Sequence, residues 1–216
     1  MGDAVHSSEP IPGNPWPHNM MISVDVPHHL SLLLFVRQAW SLNDNDVPAV
    51  SPAPEPGTST RPAEPGSVEL NEQWRQDWAQ AWTEFAPRQT RITTPAAEIQ
   101  HLLDTLTDEE LWDAVSPAPS PIWFDGLDHG AFNHWLSSLR GELPVSLHDN
   151  PEHQSLPALI TAWKTGLVSI IELPYAGYYA DRITRTHLVV SNETRHCPEL
   201  YSRALATPDV SGTLDA

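Results

Sequence analysis

Residues 125–153 hold the densest collection of groups able to do chemistry: Asp125, Asp128, His129, His134, His148, Asp149, Glu152 and His153. Imidazoles interspersed with carboxylates are the donor set that Zn²⁺ or another divalent cation takes, and spare carboxylates orient the ligating rings. Spacing limits how they can act. His129 and His134 are five residues apart, which on one helix turns them about 140° from each other. A shared ion then needs further donors from the following loop, His148 or His153. The candidate metal set is therefore His129, His134, His148, His153 and Asp125. The plainer assignment makes Asp128 a helix cap and leaves the histidines solvated or hydrogen-bonded.

Other reactive groups are scattered. Cys197 stands just before Pro198 at an expected helix start, where the helix dipole favours a thiolate, and His196 is its neighbour. Adjacency in sequence does not set an imidazole against a sulfur, so an inert thiol is the competing assignment. Arg182, Arg185, Arg195 and Arg203 could line a phosphate or carboxylate pocket, or pair with local acids such as Asp181, Glu193 and Glu199. Trp74, Trp78 and Trp82 form a stripe with core-facing helical spacing, and an exposed stacking platform is the alternative. Tyr175, Tyr178 and Tyr179, in the run Pro174–Tyr179, are candidate partner-contact residues, because exposed tyrosines are efficient at interfaces.

Several large enzyme classes lack their marks here. The phosphate-binding Walker loop, the dinucleotide glycine fingerprint, the G-x-S-x-G elbow, H-E-x-x-H and paired C-x-x-C are all missing from the sequence. A helix over 156–165 followed by a hairpin has the order of a winged helix-turn-helix, but Lys164 is the one cation on that helix, and groove-reading helices carry several.

The elements that must position these residues are written in hydrophobic pattern. Ile22, Val24 and Val26 alternate with polar residues as a short strand ended by Pro27. His28 to Trp40 fits a well-buried helix, with a strand as the alternative. The clearest helix spans about 68–86, with Leu70, Trp74, Trp78, Ala81, Trp82 and Phe85 on one face and Pro87 as its stop. Further helices are expected from Thr94 to Leu106, from a Thr107/Glu110 capping box to Val115, through Phe132–Leu139 with Gly141 as C-cap, over Leu156–Thr165, and over Pro198–Ala206. Between the last two, 168–173, 178–184 and 187–191 are rich in β-branched and aromatic residues and suggest an antiparallel meander, with the 22–26 strand as a possible edge. The expected class is α+β, mostly helical: amphipathic helices packed with a small C-terminal antiparallel sheet.

Composition divides the chain further. Residues 1–19 hold four prolines and little apolar material, and are expected as a disordered lead-in that an internal start at Met20 or Met21 would make dispensable. Residues 20–47 form a strand and helix that dock on the body. Residues 48–66, with six prolines and two glycines, are expected as a linker that reaches roughly 60 Å if extended. The body covers 67–207, jointed by the SPAPSP run at 116–121, and 208–216 form a tail.

Charge and cysteine usage bound the partners. Of the formal charge of −17, residues 67–156 contribute 15 acids against 4 bases. Such a field repels phosphate backbones and anionic membranes, so nucleic acid and membrane are not expected partners and a protein is. One cysteine permits no intrachain disulfide, the N-terminus has no basic start or apolar run, His6 stands where a myristoylation signal needs Ser or Thr, and the longest apolar run, Leu32 to Val36, is too short to span a bilayer. A cytoplasmic location is the expectation. Ten arginines against a single lysine are the pattern expected of coding bias in a GC-rich bacterial genome.

Three functions compete on these grounds. The leading one is a non-enzymatic protein-interaction or accessory factor with no cofactor. The second is a metal-assisted hydrolase using Zn²⁺ or another divalent cation at 125–153. The third is a DNA mimic or DNA-linked regulator that uses the acidic middle segment.

Overall fold

The computed structural model describes residues 16–44, 46–63, 66–85, 120–139 and 149–208. The expected helices over 94–106 and 107–115, the Gly141 cap, His148 and the terminal segments 1–15 and 209–216 lie outside the described residues. The chain divides into two compact units: a helical unit, His28–Ser138, and a sheet unit formed by Met1–Pro27 with Leu139–Ala216. The strand and helix expected to dock together thus part company at Pro27, and the expected 67–207 body divides at residue 139.

The helical unit is built on α1 (His28–Ala39), which is buried from Leu30 through Arg37. A helix apolar on nearly every side belongs in an interior, and that settles the helix-or-strand ambiguity of this segment. Helix α2 (Ser67–Ala81) starts where the Glu69 carboxylate accepts from the Gly66 N–H at 2.9 Å, and continues as a 3-10 turn, Trp82–Phe85. Of its aromatic stripe, Trp74 is fully inside and donates its indole N–H to Leu33 O at 2.8 Å, while Trp78 and Trp82 are half-buried. A second 3-10 turn, Pro121–Phe124, sinks Trp123 into the core. Helix α3 (His129–Leu139) then buries Phe132, Trp135 and Leu136, with the Phe132 and Trp135 rings 5.4 and 5.7 Å from Phe35.

Segment 48–66, expected as a linker, is fastened along its described part. Arg37 donates to Val47 O at 2.8 Å and also to Pro48 O, Trp135 Nε1 donates to Pro52 O at 2.8 Å, and Thr60 N–H donates to Gly126 O at 2.8 Å.

The sheet unit holds four strands, β1 (Ser23–Asp25), β2 (Ser169–Leu173), β3 (Ala180–Asp181) and β4 (His187–Ser191), in the order β1-β2-β4-β3. The α+β, mostly helical class is as expected, and β1 does take an edge. The pairing differs from a meander. β1–β2 and β2–β4 run parallel, and β3–β4 alone is antiparallel, so the sheet is mixed. Every residue of β2 is buried, as befits a parallel strand covered on both faces, and residues 174–186 provide the roughly dozen residues that a parallel return needs.

Among the described residues four helices complete this unit: α4 (Pro151–Gln154), α5 (Leu156–Lys164), α6 (Asn192–Arg195) and α7 (Pro198–Leu205). The one-turn helices α4 and α6 were not evident from periodicity. Each is fixed by a cap, Asn150 Oδ1 accepting from Glu152 N–H at 2.8 Å and Ser191 Oγ from Thr194 N–H at 3.1 Å. Leu159 and Ala162 of α5 and Tyr201, Ala204 and Leu205 of α7 pack with Ile170, Leu188 and Val190 from the sheet. Gly166 (φ +109°) ends α5, and a Cβ there would meet Arg185 Nε at 2.7 Å. Among the described residues no helix is long and apolar enough to cross a membrane.

Ile170 lies fully buried in this core. Ile170→Ala is expected to destabilise the sheet unit by about 2–5 kcal/mol, read as a lower urea midpoint for the loss of β-sheet circular dichroism.

A buried charge cluster beside an apolar groove

The residues singled out at 125–153 separate. Asp125, His129 and His134 belong to the helical unit and His153 to the sheet unit, and His148 lies outside the described residues. Among the described residues no group of three or more His, Cys, Asp or Glu side chains is placed to hold a metal ion. The His129 ring stacks on Phe124 at 6.0 Å, and His134 is exposed on α3 in a cleft of about 470 Å³ that also includes Glu55 and Trp135.

Asp128 is the cap of α3. Its Oδ1 accepts from Ala131 N–H at 2.9 Å, and its Oδ2 accepts from Thr58 N–H and Thr58 Oγ1, both at 2.9 Å. The Thr58 and Ala131 backbone hydrogen bonds hold its carboxyl down, from the ordinary 3.8 to about 2. Gly57 (φ +59°) permits this approach, since a Cβ there would lie 2.5 Å from Asp128 Oδ2.

The four arginines, read as lining one pocket or as pairing with local acids, serve separate partners. Arg182 is buried and donates to the Thr184 and Arg185 carbonyls, Arg185 Nε donates to Thr165 O at 3.2 Å, and Arg203 lies 4.6 Å over the Tyr178 ring. Cys197 Sγ meets Glu199 Oε2 at 3.5 Å while His196 Nδ1 faces Asn192 O at 3.0 Å, so these neighbours serve different groups. Among the tyrosines, Tyr178 is 40% exposed. Tyr175 turns inward at 2% exposure against Tyr179, ring to ring at 4.7 Å, so its ring is not presented to a partner.

Arg195 is the exception, because it builds a site. Its Nε and Nη2 donate to the two oxygens of Glu152 at 2.8 and 3.0 Å, and its Nη1 donates to Glu172 Oε2 at 2.8 Å. Asn192 Nδ2 donates to the other Glu172 oxygen, and Tyr201 OH donates to Glu152 Oε1 at 3.2 Å. Burial works against the Arg195 charge, but the Glu152 hydrogen bonds and the Glu152 and Glu172 charges outweigh it and hold the guanidinium above its ordinary range. Burial, then the Glu152 charge, pushes the Tyr201 phenol up, so it stays a hydrogen-bond donor.

The sequence offered one signal for this cluster. A lone glutamate inside the apolar run Ser169–Leu173 needs a cation once the strand is buried. His187 was also overlooked: it opens β4, with Nδ1 at 3.0 and 2.9 Å from Thr184 Oγ1 and Thr186 Oγ1, and burial holds its imidazole below the ordinary range.

Glu152, 8% exposed, also lines a groove of about 690 Å³ walled by Trp16, Met20, Met21, Ile22, Leu159 and Val168. Met21 is 78% exposed and Val168 45%, while Trp16, Met20 and Ile22 rest half-buried against the core. Glu152 is the one charged residue among the described walls.

Comparison with protein-family models, with curated proteins and with solved structures returned no match.

Two outcomes follow for these polar groups. Arg195→Met strands two buried carboxylates and is expected to cost about 3–5 kcal/mol, whereas Arg203→Met, on the surface, is expected to change the thermal midpoint little. Asp128 has a depressed folded pKa, so its contribution is present above the ordinary 3.8 and lost as pH falls through about 2. Helical-unit unfolding in urea is expected to become easier between about pH 4 and pH 2, and Asp128→Asn to flatten that dependence.

Proposed function

We propose that the chain is a non-enzymatic protein-interaction factor that docks a partner protein in the groove beside β1. The observation that carries this reading is the exposure of Met21 and Val168 on a groove whose other apolar walls are already anchored to the core. Apolar surface held open on a folded unit is stabilised by whatever covers it, at about 25 cal/mol per Å² removed from water. Methionine walls suit this use, since the flexible thioether chain adapts to the side chains it meets. β1 adds a backbone component. Ser23 donates its N–H to Val168 O at 2.9 Å, so strand alternation turns the N–H and C=O of Val24 to the outer side of this edge strand.

The formal charge of −17 gives the partner its sign, favouring a basic protein surface over nucleic acid or an anionic membrane. A cytoplasmic site of action, in keeping with the single cysteine, belongs to the same proposal.

The test is site-specific photo-crosslinking in the native host. A photoreactive residue in place of Met21 is expected to give one discrete protein adduct. The same residue in place of exposed Asn133 on α3 is expected to give none, and Val168→Asp to suppress the Met21 adduct. Absence of any adduct specific to position 21 would overturn the reading.

A further inference from the structure

The buried cluster carries an imbalance of charge. Glu152 and Glu172 place two carboxylates around a single guanidinium, with His196 Nδ1 3.9 Å from Glu172 Oε1. Each carboxylate oxygen accepts about two hydrogen bonds. Both positions on Glu152 Oε1 are taken, by Arg195 Nε and Tyr201 OH, and Oε2 accepts once, from Arg195 Nη2. Among the described residues one acceptor position on Oε2 therefore remains, on a residue that is 8% exposed and lines the groove.

Arg195 answers both carboxylates with one charge, and a cation brought from a partner offsets the excess. The ion pair would be screened far less than one on the open surface. Apart from Ser23 the rest of the described wall is apolar, so the occupant must combine an aliphatic body with a single cationic tip. A lysine side chain has that construction, a four-carbon stem under a compact ammonium that donates to one oxygen. An arginine fork asks for two oxygens side by side, and on Glu152 Arg195 already uses that pair.

Resting on the docking function above, we infer that the groove recognises an extended, apolar segment of the partner carrying one lysine, whose ammonium completes the acceptor set of Glu152 while its stem and flanking aliphatic residues cover Met21, Ile22 and Val168. The outward N–H and C=O of Val24 give such a segment a backbone pair on which to align.

The inference is tested by fluorescence anisotropy with the intact chain and short, amino-terminally acetylated peptides of alternating leucine and threonine. One member of a pair carries a central lysine, the other acetyl-lysine, which keeps the stem and removes the charge. The lysine peptide is expected to bind about fivefold or more tightly than its partner, and Glu152→Gln to erase the difference. Glu152 also holds Arg195, so the variant's melting curve is recorded, but the peptide pair on the unaltered protein stands without it. Equal affinity for the two peptides, or no binding of either, overturns lysine recognition. The docking function itself fails only if position 21 also captures no partner in the host, so the two failures are told apart.

Discussion

The Arg195 guanidinium, bound to Glu152 on α4 and to Glu172 on β2, constrains where the neighbouring parts of the sheet unit can sit. Helices of one turn are far below the length at which a helix holds itself together in water, yet α4 and α6 are both of this kind. Caps at Asn150 and Ser191 start them, and the planar fork of Arg195, leaving α6, fixes both against the central strand. Tyr201 brings α7 to the same carboxylate. Elements too short to bury much apolar surface are thus placed by directional bonds, which specify distance and angle where apolar contact specifies little. Glu152 also lines the groove, so the interaction that orders this unit contributes the charged residue of its described walls.

Sequence periodicity revealed what repeats and missed what does not. Leu70 and Trp74 on α2, Phe132, Trp135 and Leu136 on α3, and Leu156 and Leu159 on α5 recur every three or four residues, and each set is buried. α4 and α6 contain no complete repeat. The parallel pairing of β2 with β4 was hidden for a related reason: chain order and turn residues favour neighbours in sequence, whereas Ile170↔Leu188 and Glu172↔Val190 join across an intervening strand. The charge cluster was legible only in part. Glu152 and Arg195 both stood out as chemical groups, but Glu152 was grouped with the polar residues of 125–153 and Arg195 with an anion pocket or nearer acids. Their partners lie 43 positions apart, and nothing local encodes a pairing at that range.

The proline-rich segment after α1 shows how composition can conceal structure. Prolines lack an N–H, so a run of them cannot join a helix or a sheet ladder, and by that measure 48–66 belongs outside any core. The same deficiency leaves its carbonyls uncommitted. Arg37 is buried at the end of α1, and Trp135 turns its indole N–H inward from α3. Buried donors of this strength must find acceptors. Val47, Pro48 and Pro52 supply them, and Asp128 reaches from the start of α3 to Thr58. The segment adds few apolar side chains to the interior, Val50 being one of them. Its place in the helical unit comes instead from a backbone whose carbonyls accept from buried donors on the surrounding helices.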